Sequence, residues 1–130
     1  MELGIGMFGD LNFNPQTMRY QSPSERLKEI VEEVQLADEL GIDSFAMGEH
    51  HREDYAVSSP EIMLAALATV TKNIRLTSGV NVISSADPVK LFQDYVMLDL
   101  ISGHRVEMMA GRGSFIESFP LFGYNLQDYN

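Results

Sequence analysis

Cysteine is absent from the 130 residues. That excludes a disulfide framework, a thiolate metal site and a cysteine nucleophile, and it fits a reducing compartment. Basic residues are scarce: nine Lys and Arg stand against nineteen Asp and Glu, a formal charge of −10. With no basic stripe to release counterions from a phosphate backbone, a nucleic-acid partner is excluded. Nowhere do about 18 apolar residues follow one another without a charge, the length a membrane-spanning helix needs. The opening Met-Glu-Leu-Gly-Ile-Gly has no basic region and no long apolar run, so it does not read as a signal peptide. A cytoplasmic protein with no membrane partner is the expectation. What is present is ordinary for one packed domain: 45% hydrophobic and 22% charged residues in a chain long enough for a single core.

Leu3 to Phe8 alternates small and apolar residues up to Gly9-Asp10, which predicts a first buried strand over 3–8. The same stretch contains Gly4-x-Gly6-x-x-Gly9, a formal dinucleotide fingerprint. The fingerprint must follow a strand and open a helix, and here the glycines lie inside the strand, so the match is spurious. Leu11 to Gln21 reads as a loop. Ser22-Pro23-Ser24-Glu25 starts a helix, with Ser22 as N-cap and Gly41 as the residue past its end. Leu27, Ile30, Val31, Val34, Ala37 and Leu40 form its apolar stripe, and Glu29, Glu32, Glu33 and Asp38 read as its solvated face. A strand over 43–47 follows. Ser58-Ser59-Pro60-Glu61 opens a second helix, 75–83 is a third strand rich in β-branched residues, Asp87-Pro88 opens a third helix closed by Gly103, and 105–110 is a fourth strand. Phe115 to Asn130 is aromatic without a period. The strands therefore recur at roughly thirty residues. That spacing suits parallel βα units of half a (β/α)8 barrel, the alternative being a small doubly wound parallel sheet.

In either architecture ligands bind where strands end, which directs attention to Gly48-Glu49-His50-His51. On an extended chain neighbouring side chains point to opposite faces, so Glu49 and His51 share one side and His50 takes the other. Adjacent histidines cannot easily ligate one ion, and no helical zinc signature exists, so no metal site is expected. The pair either caps the strand through hydrogen bonds or exchanges a proton near neutral pH. Gly111-Arg112-Gly113-Ser114 ends the fourth strand and combines free backbone N–H groups with a planar cation suited to phosphate or carboxylate. Gly79-Val80-Asn81 puts a glycine where a backbone approaches a ligand or a barrel curves.

In order along the chain, Glu-Leu-Gly-Ile-Asp-Ser-Phe-Ala-Met-Gly-Glu-His-His (39–51), Asn-Ile-Arg-Leu-Thr-Ser-Gly-Val-Asn-Val-Ile (73–83), Asp87-Pro88-Val89-Lys90, Leu98-Asp99 with Ser102-Gly103, and Gly111-Arg112-Gly113-Ser114 followed by Phe119-Pro120 and Phe122-Gly123 resemble the bacterial luciferase-like family of flavin-dependent monooxygenases. The resemblance covers essentially the whole chain. It implies the N-terminal half of a (β/α)8 barrel that binds reduced FMN, or in some relatives the deazaflavin F420, at its C-terminal mouth. With dioxygen the cofactor would serve to oxidise a small organic substrate such as an aldehyde or alkane. By resemblance His50 is the catalytic histidine and Glu49 its neighbour under the isoalloxazine. Gly79-Val80 is the place of a non-proline cis peptide against the ring, and Arg112 and Ser114 lie at the flavin site. A half barrel has two open edges and an uncovered inner face, so a homo-oligomer formed through the open half-barrel is expected. The second functional expectation is a non-catalytic half-barrel that binds flavin or associates with itself.

Overall fold

The computed structural model describes residues 1–129. Strand β1 (Gly4–Met7) leads into a short antiparallel hairpin of β2 (Phe13–Asn14) and β3 (Arg19–Tyr20), then α1 (Pro23–Glu39) and β4 (Ser44–Met47). Helix α2 (Pro60–Val70), β5 (Arg75–Ser78), β6 (Asn81–Val82), α3 (Pro88–Ser102), β7 (Val106–Glu107), β8 (Ala110–Gly111) and α4 (Ser118–Phe122) complete the order. Four strands form one parallel sheet in the order β1-β4-β5-β7. Each new strand is laid beside its predecessor, always at the same edge. A doubly wound sheet would reverse direction at a switch point. This sheet does not, so the chain is an α/β array of βα units corresponding to half a barrel.

Local chemistry explains the elements. Ser22 and Glu25 form a reciprocal capping box on α1, each side chain bonding the other's backbone N–H at 3.2 Å. Asp87 Oδ1 accepts from Lys90 N at 2.8 Å to open α3. That helix stops at Gly103, whose left-handed φ of 69° suits glycine. Ile30 and Val34 of α1, Leu64 and Leu67 of α2 and Leu98 of α3 pack on Phe45, Met47 and Leu76 of the sheet. The alternate residues Gly6, Ala46 and Thr77 are in register on the opposite face, and they are small. That face is the inner wall of the half barrel.

Several expectations are corrected. The first strand, which stands at the edge of the sheet, has Gly4 and Gly6 exposed and is not a buried one. The 75–83 strand is broken by a cis Gly79–Val80 peptide into β5 and β6, after which Ile83–Ser85 turns as a 3-10 helix. The 105–110 stretch is likewise split into β7 and β8, and β8 pairs with β6 in a separate parallel ladder. The 11–21 loop holds the β2–β3 hairpin. In 115–129 there are α4 and a 3-10 turn, Leu126–Tyr129, and no strand among the described residues; Asn130 lies outside them.

Asp38 departs from the solvated face predicted for it. Its carboxylate accepts from the backbone N–H groups of Lys72, Asn73 and Ile74 at 2.7–2.8 Å. Burial pushes the Asp38 carboxyl up, but those three donors, with Arg105 beyond them, hold it below its usual range. Beside it, Arg105 donates to Ser102 O, Ala68 O, Thr71 O, Thr71 Oγ1 and Ile74 O at 2.8–3.2 Å. These two residues tie the C-terminal ends of α1, α2 and α3 to the start of the strands, at the end of the sheet opposite the histidines.

Candidate functional site

The chain leaves β4 through Gly48 and immediately presents Glu49, His50 and His51. Alternation sends them to different partners. His51 Nε2 lies 2.9 Å from Glu49 Oε1, and the other Glu49 oxygen accepts from Val82 N at 2.9 Å, which ties this loop to β6 beyond the cis peptide. His50 turns the other way, with its Nδ1 2.8 Å from Glu117 Oε1. The same Glu117 oxygen accepts the His51 backbone N–H at 3.1 Å.

His50 is only 8% exposed. Its ring stacks on Tyr55 with centroids 4.2 Å apart and meets Phe8 and Phe115 at 5.4 and 5.3 Å. Tyr55 is held in turn by Arg52, whose guanidinium lies 5.7 Å from both the Tyr55 and Phe115 rings. A cavity of about 10 Å³ remains among Glu49, His50, His51, Val82, Phe115 and Ser118. That is about one water's worth of space. The Ser118 hydroxyl is buried without a partner among the described residues.

Of the site residues expected from sequence, Glu49, His50, Gly79 and Val80 gather at one end of the sheet. Gly79 sits on Ala46: a Cβ added there would come 3.1 Å from the Ala46 methyl. Gly111 sits against Val80, and a Cβ there would come 2.9 Å from Val80 Cγ2. A side chain at Gly79 would crowd β4, and one at Gly111 would crowd the segment leading into β6. Arg112 and Ser114 are exposed. The Arg112 guanidinium lies 4.6 Å over the Tyr129 ring and donates to the Tyr129 carbonyl at 3.4 Å.

Sequence reasoning missed Glu117, Tyr55, Phe8 and Phe115. The signal for Glu117 was present: it is the lone charge in the apolar run Phe115 to Phe122. A second buried network was also missed. The Tyr95 hydroxyl donates to Asn81 Oδ1, and Asn81 Nδ2 reaches Glu61 at 3.5 Å. Burial pushes the Tyr95 phenol up to about 12, with Glu61 and Glu49 adding to it. Because the folded state resists ionising this phenol, the associated stability is full below about pH 10 and falls as pH rises from there toward 12. We expect roughly 2–3 kcal/mol to be lost over that window in urea unfolding. Tyr95→Phe should flatten that part of the curve, and an unchanged alkaline slope would contradict the assignment.

The flavin-dependent trigonelline monooxygenase oxygenase component of Acinetobacter baylyi is 32% identical over 96 residues, 73% of this chain and 27% of that protein. The crystal structure of the monooxygenase RslO1 from Streptomyces bottropensis superposes with a TM-score of 0.85 at 29% identity, over 99% of this chain and 38% of that one. The oxygenating constituent of 3,6-diketocamphane monooxygenase from Pseudomonas putida, solved in complex with FMN, shares the fold at a TM-score of 0.85 and 24% identity, over 99% of this chain and 36% of that one. The chain thus spans roughly a third of the length of the proteins it matches. No helix among the described residues is long and apolar enough to cross a membrane. The profile of the luciferase-like monooxygenase family matches residues 6–129, and the chain belongs to that family.

Proposed function

We propose that the chain contributes the acid/base histidine and the ring-facing wall of a flavin-dependent monooxygenase that oxidises a small organic substrate such as an aldehyde or alkane. Reduced FMN is the proposed cofactor; the deazaflavin F420 is the alternative, with which the reaction would be hydride transfer to or from the substrate and would not use dioxygen. The observation that carries the reading is the pairing, at one end of the sheet, of a nearly buried imidazole with a floor that carries nothing larger than a methyl at Gly6, Ala46 and Gly79. Backbone bare of long side chains at these positions lets a planar tricycle approach closely. Glu49, Gly79 and Val80 would hold the ring system, and Arg112 and Ser114 would serve it from the loop after β8.

When bound, reduced flavin supplies the electrons that activate dioxygen for transfer of one oxygen atom. The residues of this chain do the rest. His50 takes or returns a proton at Nε2. Phe8, Tyr55 and Phe115 keep water from its ring and favour an apolar substrate. Glu49 fixes the β4 loop to β6 so that the floor and the imidazole keep their separation.

A second reading rests on the uncovered edge. Phe92, Val96 and Leu100 of α3 and Met108 beyond β7 are exposed side by side, and among the described residues β7 has no partner on its outer side. Two copies would cover these edges, and a homo-oligomer through the open half-barrel, located in the cytoplasm, is part of the proposal.

Titration of FMN into the chain by flavin fluorescence, with size-exclusion chromatography of the same sample, tests both. We expect micromolar affinity in a dimer. No binding up to about a millimolar, weaker than roughly 4 kcal/mol, would overturn the flavin reading. A monodisperse monomer would overturn the association.

A further inference from the structure

We infer that Glu117 is the positioning residue of His50, and that the two adjacent imidazoles are held in opposite tautomers. The inference rests on the reading of His50 as the acid/base group, and it concerns a residue 67 positions away that is on a different loop.

The argument is a count of donors and acceptors. An ionised carboxylate only accepts. Glu117 Oε1 already receives the His51 backbone N–H, so the His50 Nδ1 facing it at 2.8 Å must carry the proton. That leaves His50 Nε2 with a bare lone pair, the form a base requires. Glu49 imposes the reverse on His51. Its Oε2 receives the Val82 N–H and its Oε1 faces His51 Nε2, so His51 is protonated at Nε2 and offers no lone pair there. One imidazole is set as an acceptor, while its neighbour is locked as a tie between loops.

The stacking partners of His50 restrict its tilt but do not distinguish its two nitrogens, so among the described contacts the choice of tautomer falls to Glu117 alone. Because Glu117 follows Gly111-Arg112-Gly113, the state of His50 depends on how that loop is placed. Loss of Glu117 would release the imidazole to its intrinsic preference for Nε2–H.

The test is a long-range 1H–15N correlation spectrum of the uniformly labelled chain at about pH 9, above the ordinary imidazole range. His104→Gln removes the third imidazole. We expect His50 as Nδ1–H and His51 as Nε2–H, each favoured roughly tenfold or more, as a charge-assisted hydrogen bond dictates. Glu117→Ala should convert His50 to Nε2–H while His51 is unchanged, which also reports an intact fold. Glu117→Gln, whose amide oxygen still accepts, should restore the parent pattern. His50 found as Nε2–H in the parent chain, or unmoved by Glu117→Ala, would overturn the inference; if Glu117→Ala fails to fold, the parent spectrum decides. No flavin is present, so a chain that binds no FMN still gives a readable answer on Glu117.

Discussion

Arg105→Ala is expected to remove about 3–5 kcal/mol of stability, a large share of what a domain of this size has. The side chain enters between α2 and α3 and donates to the carbonyls of Ala68, Thr71, Ile74 and Ser102 and to the Thr71 hydroxyl. Most of those carbonyls lie at or just beyond helix C-termini, where no intrahelical donor exists and the helix dipole favours a cation. Truncation deprives them all at once. Lysine should recover little, since one ammonium cannot reproduce a planar fork aimed at several acceptors. The urea midpoint of the two variants against the parent chain measures this. A loss under about 1 kcal/mol for alanine, or full rescue by lysine, would show that water replaces the guanidinium readily.

His50→Ala should act on the opposite end of the sheet and on a different quantity. If the proposed activity holds, oxygenation of an aldehyde by the FMN-bound protein with reduced FMN and air should fall by about 10²–10⁴, the range for loss of a positioned acid/base group. Flavin affinity should stay within about threefold, because the floor at Gly6, Ala46 and Gly79 is untouched. A rate within about threefold of the parent would remove His50 from the chemistry. A parallel loss of flavin binding would make it a wall of the site instead. The two variants separate the ends of the array: Arg105, before the strands, is tested for stability, and His50, past their ends, for the proposed chemistry.

Much of this organisation is legible locally. The thirty-residue repeat, the capping box at Ser22, the Asp87 cap and the left-handed Gly103 are encoded within a few residues of where they act, so the run of βα units can be read without a structure. The division of Glu49 and His51 from His50 follows from strand alternation alone. The site's location at the strand ends and its link to luciferase-like proteins are also carried by contiguous motifs.

What packing decided lies where distant segments meet. A carboxylate on α1 reads as surface, yet the arrival of Lys72 to Ile74 makes Asp38 a tie between units. A run rich in β-branched residues reads as one strand, yet the fit of Gly79 on Ala46 and of Gly111 on Val80 accompanies its division into two ladders. Arg112 reads as a ligand group, and here it lies on Tyr129. By itself the sequence determined the repeating units, their caps and the histidine pair, because helix and strand periodicity act over a few residues. Only the tertiary structure chose Glu117 for His50 and Arg105 for the end of α2, because a hydrogen bond between residues tens of positions apart depends on where packing brings them.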